Sequence, residues 1–498
     1  MREAAQPFAT PCYTMFQDEE AACTLLSRER TALGHGLSGI TRARWLLADR
    51  VSRALSEAGG ASGADPAEWV VRLAVPVGPM EPFRWLRGQA LSPKLYWDGR
   101  EDGFGVAAVG VADLQESDAP EDAEALRKRL APLISGDPET RYYGGFRFDP
   151  LREPDAEWAA FGAFRFVLPR FELGAGEEEA TLACNLVLPR DAERSAEILA
   201  QIEHLTFSQP AFDAALPAPI SRTDGPGWEG WKRNIERVLA AFSEERLDKV
   251  VLARRTEFAF ADGVDAVLLA ESLEGATPGC FHFYLEPEEG VAFVGASPER
   301  LFRREGRSIQ SEAVAGTRPR GASEADDAEL RDELLRSEKD RSEHDYVRIS
   351  VKETLEPLCD ELEVEEDVSE MKLLGGRHLR SRVRGTLREG ATDAEVLHAL
   401  HPTPAVGGYP RQEALEEILA LEPFDRGWYA GPVGWIGAKG SEFAVGIRSG
   451  LVRGNRLALF SGAGIVEGSV PEDEWAEIEQ KIGDFLRVFG LEPGHLKR

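Results

Sequence analysis

Residues 443–486 read FAVGIRSGLVRGNRLALFSGAGIVEGSVPEDEWAEIEQKIGDFL, and this stretch decides the fold class. Its first half contains two apolar runs, FAVGIRSGLV and RLALFSGAGIV, short and broken by glycine, which is the pattern of strands. Its second half turns into an acidic helix over about 471–488. There Glu474 and Glu477 stand three apart and Lys481 follows four later, so all three lie on one helical stripe. Strands followed by a charged helix imply sheet covered by helices, an α+β protein.

The same text continues on the N-terminal side of this stretch. GCFHFYL and GVAFVGAS read as further strands, and about 324–360 reads as a second long charged helix. From about 67 to 215 come EWVVRLAVPVG, GFGVAAVGVA, YYGGFRFDP, AAFGAFRFVLPRFEL and ATLACNLVLP, separated by Gly, Pro and acidic turns. These predict a large, mainly antiparallel sheet system. Before them, ITRARWLLADRVSRALSEAGG places Trp45, Leu46, Val51 and Leu55 at helical spacing on a core, and the glycine pair stops the helix. SQPAFDAALPAPISRTDGPGWEG is the one Pro/Gly-rich stretch long enough to mark a boundary, followed by a helix, WKRNIERVLAAFSEERLDK, that runs into the strand KVVLARR. It places a boundary near residue 222, between a strand-rich region, 1–222, and a second region, 223–490.

Composition excludes several functions. The chain has 498 residues, 43% of them apolar, with 87 acidic against 58 basic side chains and a net charge of −29. So large an acid excess, with no basic stripe, argues against nucleic acid and anionic lipid as partners. The five cysteines, at 12, 23, 184, 280 and 359, are odd in number and far apart, and are expected to be reduced core residues of a cytoplasmic protein, with Cys280 in a strand and Cys359 in a helix. The opening MREAAQPFATPCYTMFQDEE has no basic segment followed by an apolar one, and no run of 18 apolar residues occurs, so no membrane association is expected. There is no P-loop, no GxGxxG, no HExxH and no GxSxG.

Chemistry therefore has to come from the carboxylates. In SEKDRSEHDYVRISVKETL, Asp340 and Glu343 repeat the i, i+3 spacing of Glu474 and Glu477. Four acids converging between two helices would need a cation, and an all-oxygen set suits Mg²⁺. Acid pairs on helix faces are ordinary in so acidic a chain, and His344 beside Glu343 reads as a packed residue, so spacing alone does not join the two helices.

What joins them is a series of strings in one order: KVVLARR, FVGASPERLF, AVAGTRPRG, EHDYV, LHPTPAVGGYPR, FDRGWYAGPVGWI, AVGIRSGLV and SGAGIVEGSVPEDEWAEIEQKI. Together they resemble the chorismate-utilising enzymes, the family of anthranilate, aminodeoxychorismate, isochorismate and salicylate synthases. The resemblance spans about 225–487, with fainter echoes back to about 92. It implies one large unit of two antiparallel sheets, helices packed outside and a central active-site cleft. It also implies a ligand set: Glu343 and Glu477 on Mg²⁺, with Asp340 and Glu474 in its outer shell through water. Arg448 and Tyr429 would hold the enolpyruvyl carboxylate of chorismate, and Lys481 and the backbone at Gly316, Thr317 and Gly462 would complete the pocket.

The resemblance also separates subclasses. Members that add water rather than ammonia have a lysine where this chain has Lys249. A lysine acts as base only if its pKa, about 10.4 in water, falls toward neutrality. Its partner acid would be Glu299 of GASPERL, which must keep a proton near pH 7 and is therefore expected to have a raised pKa. Ala405 sits where salicylate-forming relatives tend to carry threonine. The resemblance thus points to an isochorismate synthase of the menaquinone type, cytoplasmic, monomeric or weakly self-associating, and without an amidotransferase subunit. A salicylate synthase, an anthranilate or aminodeoxychorismate synthase component, and a silent chorismate-binding protein are the alternatives.

Overall fold

The alternating and apolar runs become twenty strands in the computed structural model, which describes residues 39–59, 67–101, 105–119, 123–176, 179–207 and 215–491. All their pairings are antiparallel, and the network forks at the strand Phe164–Gly174. One edge of that strand pairs with Gly105–Ser117, while the other is shared between Arg141–Phe146 and Ala180–Leu188. One arm then runs through Gly105–Ser117, Lys94–Asp98, Phe281–Glu288, Val291–Ser297, Ser449–Arg453, Arg456–Val466 and Lys249–Ala259. The other runs through Arg141–Phe146, Pro432–Gly437, Gly440–Val445, Arg300–Glu305, Ser308–Arg318 and Arg377–Leu387. These arms correspond to the two antiparallel sheets that the resemblance implies, joined in one hydrogen-bonded network.

Strand alternation explains why both faces of the first arm are apolar. Phe293 enters a core that draws on both arms, with Phe443, Phe460 and Trp428. Its neighbours Ala292 and Val294 point the other way, into a second core closed by the helices Gly39–Gly59 and Ala266–Ala276. A strand buried on both faces needs an apolar residue at nearly every position, as GVAFVGAS supplies. Strands from either side of residue 222 pair directly, Lys94–Asp98 with Phe281–Glu288 and Arg141–Phe146 with Pro432–Gly437.

Several local readings need correction. In the helix Gly39–Gly59 the buried stripe is Ala43, Leu47, Val51, Leu55 and Ala58; Trp45, two positions off that stripe, is 46% exposed. The segment 324–360 is two helices, Glu324–Arg336 and Glu338–Leu355, because the Ser337 hydroxyl accepts from the Asp340 amide and caps a fresh start. Cys359 consequently opens a strand, Cys359–Val364, and Cys280 immediately precedes one. The segment 471–488 likewise divides, at Ile482, into Pro471–Lys481 and Gly483–Val488. FAVGIRSGLV is interrupted between Val445 and Ser449, where Arg448 takes φ +50°. Cys184 and Cys280 are buried free thiols and Cys359 is half-buried; Cys12 and Cys23 lie outside the described residues.

Candidate active site

The cleft is built on the pair of strands Lys249–Ala259 and Arg456–Val466, whose register sets Lys249 opposite Val466, Val251 opposite Gly464 and Ala253 opposite Gly462. The missing side chains at the two glycines help open a cleft of about 70 Å³ beside the strand pair. At Gly464 the approach is closest: a Cβ there would lie 2.2 Å from Glu343 Oε1 and 3.2 Å from Lys249 Cε. Glycine therefore lets the Glu343 carboxylate reach across the strand to Lys249 Nζ, at 3.1 Å. Gly464→Ala is expected to displace Glu343 and raise the Mg²⁺ concentration needed for half-maximal activity about tenfold or more, equivalent to about 1.4 kcal/mol. A Mg²⁺ titration of the rate would show it.

Two helices bring the acids. In Glu338–Leu355, Asp340, His344, Val347, Val351 and Leu355 form the buried stripe, and Glu343 stands at its edge facing the cleft. The helix Pro471–Lys481 is anchored by Glu479, which accepts from Arg254 at 2.7 Å, while the Arg254 guanidinium lies 4.2 Å from the Trp475 ring centroid. That anchoring turns Glu477 and Lys481 into the cleft, where they pair at 2.6 Å, and Lys481 also donates to the Gly462 carbonyl. Burial alone would raise Glu477, but the Lys481 ammonium outweighs it and holds the carboxyl below the usual range. Burial, and then the neighbouring Glu477 charge, push Glu474 up.

Asp340, Glu474 and Lys249 stand behind the cleft wall. Asp340 pairs with Arg318 at 2.7 Å and Glu474 with Lys339 at 2.7 Å. Burial works against the Lys339 charge, but Glu474, then Glu343 and Glu477, hold its proton on. Each of the three carboxylates thus has a lysine of its own, Glu474 with Lys339, Glu343 with Lys249 and Glu477 with Lys481. An all-oxygen donor set that gathers cations in this way fits a hard divalent ion such as Mg²⁺. Glu343 and Glu477, which both line the cleft, are the pair that could hold it beside a substrate.

The remaining candidates line the same cleft. Glu299, 4% exposed, has its carboxyl pushed up to about 8, first by burial and then by the charge of Glu312, against the opposing pull of Lys249 and Lys481. Glu312 is itself clamped by Arg100 at 2.6 and 2.9 Å. Tyr429 stacks on Phe460 at 5.4 Å, and burial keeps its hydroxyl protonated. Arg448 donates to Asp484 Oδ2 at 3.1 Å, and its positive φ, matched by φ +62° at Ala430 beside Tyr429, marks strained backbone on both sides of the cleft. Gly316, at φ +68°, turns the chain where a Cβ would meet Asp340 at 3.1 Å. Thr317 and Ala405 also face the cleft.

Two residues at the cleft went unread in the sequence. His378 has its Nδ1 on the Gly316 carbonyl at 3.0 Å, leaving Nε2 buried without a partner; burial and the Arg448 and Lys481 charges hold it neutral, its pKa down at about 3. Ser461 presents a buried, unpartnered hydroxyl. Each is a single residue inside a strand, and strand periodicity carries no signal for either. His344 is fully buried, as a packed residue should be.

The comparisons with known proteins agree with this geometry. The model of the chorismate binding enzyme family matches residues 54–490. The chain belongs to that family. The match reaches further toward the N-terminus than the motifs, which fade near residue 92. An isochorismate synthase, chloroplastic, of Catharanthus roseus is 36% identical over 408 residues, 79% of this chain and 69% of that protein. Isochorismate synthase MenF of Bacillus subtilis is 36% identical over 353 residues, 70% of this chain and 74% of its own. Among solved structures, MenF, the menaquinone-specific isochorismate synthase from Escherichia coli, superposes with TM-score 0.78 at 30% identity, covering 91% of this chain and 100% of that one. Anthranilate synthase component I from Streptococcus pneumoniae shares the fold, with TM-score 0.65 at 18% identity, 79% of this chain and 93% of that one.

Proposed function

We propose that this chain is an isochorismate synthase, interconverting chorismate and isochorismate by adding water at carbon 2 and releasing the carbon 4 hydroxyl. The relatives named for that activity, matched over most of the chain, support the reading. The observation that carries the mechanism is a carboxyl lining the cleft with its pKa pushed up to about 8, Glu299, and a fully buried amine directly behind the cleft wall, Lys249. Lys249 takes the proton of the incoming water, and Glu299 gives its proton to the departing hydroxyl. The exchange is an isomerisation, so it needs no redox partner and runs in both directions.

Binding follows from the charges placed in the cleft. Glu343 and Glu477 would hold Mg²⁺, with Asp340 and Glu474 behind them through water, and the ion would supply the positive charge that the ring carboxylate needs. Arg448 and Tyr429 hold the enolpyruvyl carboxylate, and Lys481 with the backbone of Gly316, Thr317 and Gly462 closes the pocket. The walls against the ring are apolar: Val251, Val314 and Ile447. Position thus overcomes a net charge of −29 that would otherwise repel a dianion. Glu477→Gln is expected to lose activity together with Mg²⁺ dependence; unchanged Mg²⁺ affinity by calorimetry would remove Glu477 from the ligand set.

The reading extends to a cytoplasmic enzyme of menaquinone synthesis, monomeric or weakly self-associating, working without an amidotransferase subunit. The free thiols fit a reducing compartment, and no helix among the described residues is long and apolar enough to cross a membrane. Incubation with chorismate and Mg²⁺, followed by chromatography, tests the activity. Isochorismate is the expected product from chorismate, and chorismate the expected product from isochorismate. Salicylate plus pyruvate would indicate a further lyase step, and an ammonia-dependent aromatic amine would overturn the role given to Lys249.

A further inference from the structure

Away from the cleft, Asp98, Glu274 and His282 come together where two strands meet a helix end. Asp98 ends the strand Lys94–Asp98, His282 lies opposite it in register on Phe281–Glu288, and Glu274 is in the last turn of the helix Ala266–Ala276. One ligand atom from each lies within 4.8 Å of the other two, the only such group of His, Cys, Asp or Glu among the described residues.

The imidazole is what marks this cluster out from an ordinary acidic patch. The His282 side chain is 94% buried, and its Nε2 lies 2.9 Å from Thr277 Oγ1 and 3.1 Å from the Thr277 carbonyl. The Thr277 hydroxyl gives its own hydrogen to the Leu273 carbonyl at 2.6 Å, so both neighbours of Nε2 are acceptors. Nε2 therefore carries the ring hydrogen, and in the neutral ring Nδ1 presents a bare lone pair. That lone pair faces Asp98 Oδ2 at 3.6 Å without a hydrogen bond. A protonated Nδ1 would be drawn in to about 2.7–2.9 Å by the carboxylate.

The acids lack the usual counter-charge as well. Some fully buried carboxylates in this chain are clamped by arginine, as Asp191 is by Arg170 and Asp425 by Arg147, whereas Asp98 and Glu274 are half-buried. No lysine or arginine among the described residues pairs with Asp98 or Glu274; Glu274 receives only the Tyr96 hydroxyl. A lone pair and two carboxylates converging without a cation repel one another, and a ring nitrogen fixed through a backbone carbonyl is how proteins orient a metal-binding imidazole.

We propose that Asp98, Glu274 and His282 bind a divalent first-row cation of the zinc class, at a site distinct from the oxygen-only set of the cleft. One nitrogen and two carboxylates favour such an ion over Mg²⁺. Zinc–ligand distances of about 2.0–2.2 Å need the three side chains to close inward, and Asp98, with a side chain 24% exposed, is the way in for the ion. The metal ties the end of the helix Ala266–Ala276 to the middle of the larger arm and stabilises the fold without entering the reaction.

The test uses the full-length protein, stripped with chelator, loaded with Zn²⁺ in saturating Mg²⁺ to fill the cleft, passed through gel filtration and analysed for metal by mass spectrometry. One zinc per chain and a raised Tm are expected, with both lost in Asp98→Asn and His282→Gln and the zinc retained in Glu477→Gln. If His282→Gln fails to fold, Asp98→Asn, at a partly exposed strand end, decides the matter. Absence of zinc that survives Mg²⁺ in the parent protein, or undiminished zinc in Asp98→Asn, overturns the proposal.

Discussion

Lys249→Ala is expected to lose turnover by about 10²–10⁴-fold, the usual worth of a positioned acid or base, while chorismate still binds within a few-fold of the parent Kd. The expectation follows from placement. Lys249 opens its strand with its side chain fully buried, and its Nζ faces Glu343 across the gap left by Gly464. Arg448 and Tyr429, proposed to hold the substrate carboxylate, line the cleft while Lys249 stands behind its wall, so removing the amine is expected to remove the proton acceptor for water without removing the grip on the substrate. The variant leaves Glu343 without that neighbour. Rate and binding are measured separately, the first by product formation and the second by calorimetry. A near-normal rate, with binding intact, would take the base role away from Lys249.

Glu299→Gln is expected to cost a similar factor in kcat and to change the pH dependence in a specific way. In the folded protein the carboxyl keeps its proton up to about 8, against 4.5 for an unperturbed glutamate. The donor is therefore present at neutral pH and disappears as pH rises through about 8, giving the parent enzyme a falling alkaline limb in kcat that the glutamine variant lacks. Stability follows the same sign. Between 4.5 and about 8 the native state binds a proton that the unfolded chain has released, so the contribution is complete below 4.5 and is lost as pH rises through about 8. Parent minus variant Tm should accordingly fall with pH across that window. A flat Tm difference from pH 5 to 9 would mean that Glu299 is ionised throughout.

Much of the fold and part of the cleft were legible because the signals were periodic. Strands such as GVAFVGAS and RLALFSGAGIV had no competing interpretation, and the i, i+3 acids lay on helices that do meet at one cleft, through Glu343 and Glu477. What periodicity could not supply was the choice each polar side chain makes among its neighbours. Asp340 and Glu474 share the spacing of their partners, yet one turns to Arg318 and the other to Lys339, cations whose proximity only the tertiary fold creates. The break at Ser337 was masked by an unbroken run of helix-forming residues on both sides, and a single hydroxyl decided it. Arg448 sat inside what read as one strand; its left-handed backbone is a tertiary constraint against local preference. His378 and Ser461 are isolated polar residues on strands, and their importance lies in unpartnered atoms that no pattern announces.

The account rests on water from solvent entering the ring beside Lys249 as the old hydroxyl leaves beside Glu299. Running the reaction from chorismate in H₂¹⁸O and reading the mass of the isochorismate formed tests this directly. One ¹⁸O in each isochorismate, carried on carbon 2, is the expected result. Isochorismate formed with its hydroxyl oxygen unlabelled would mean the group migrates within the substrate, and the base and acid assigned here would have no step to catalyse.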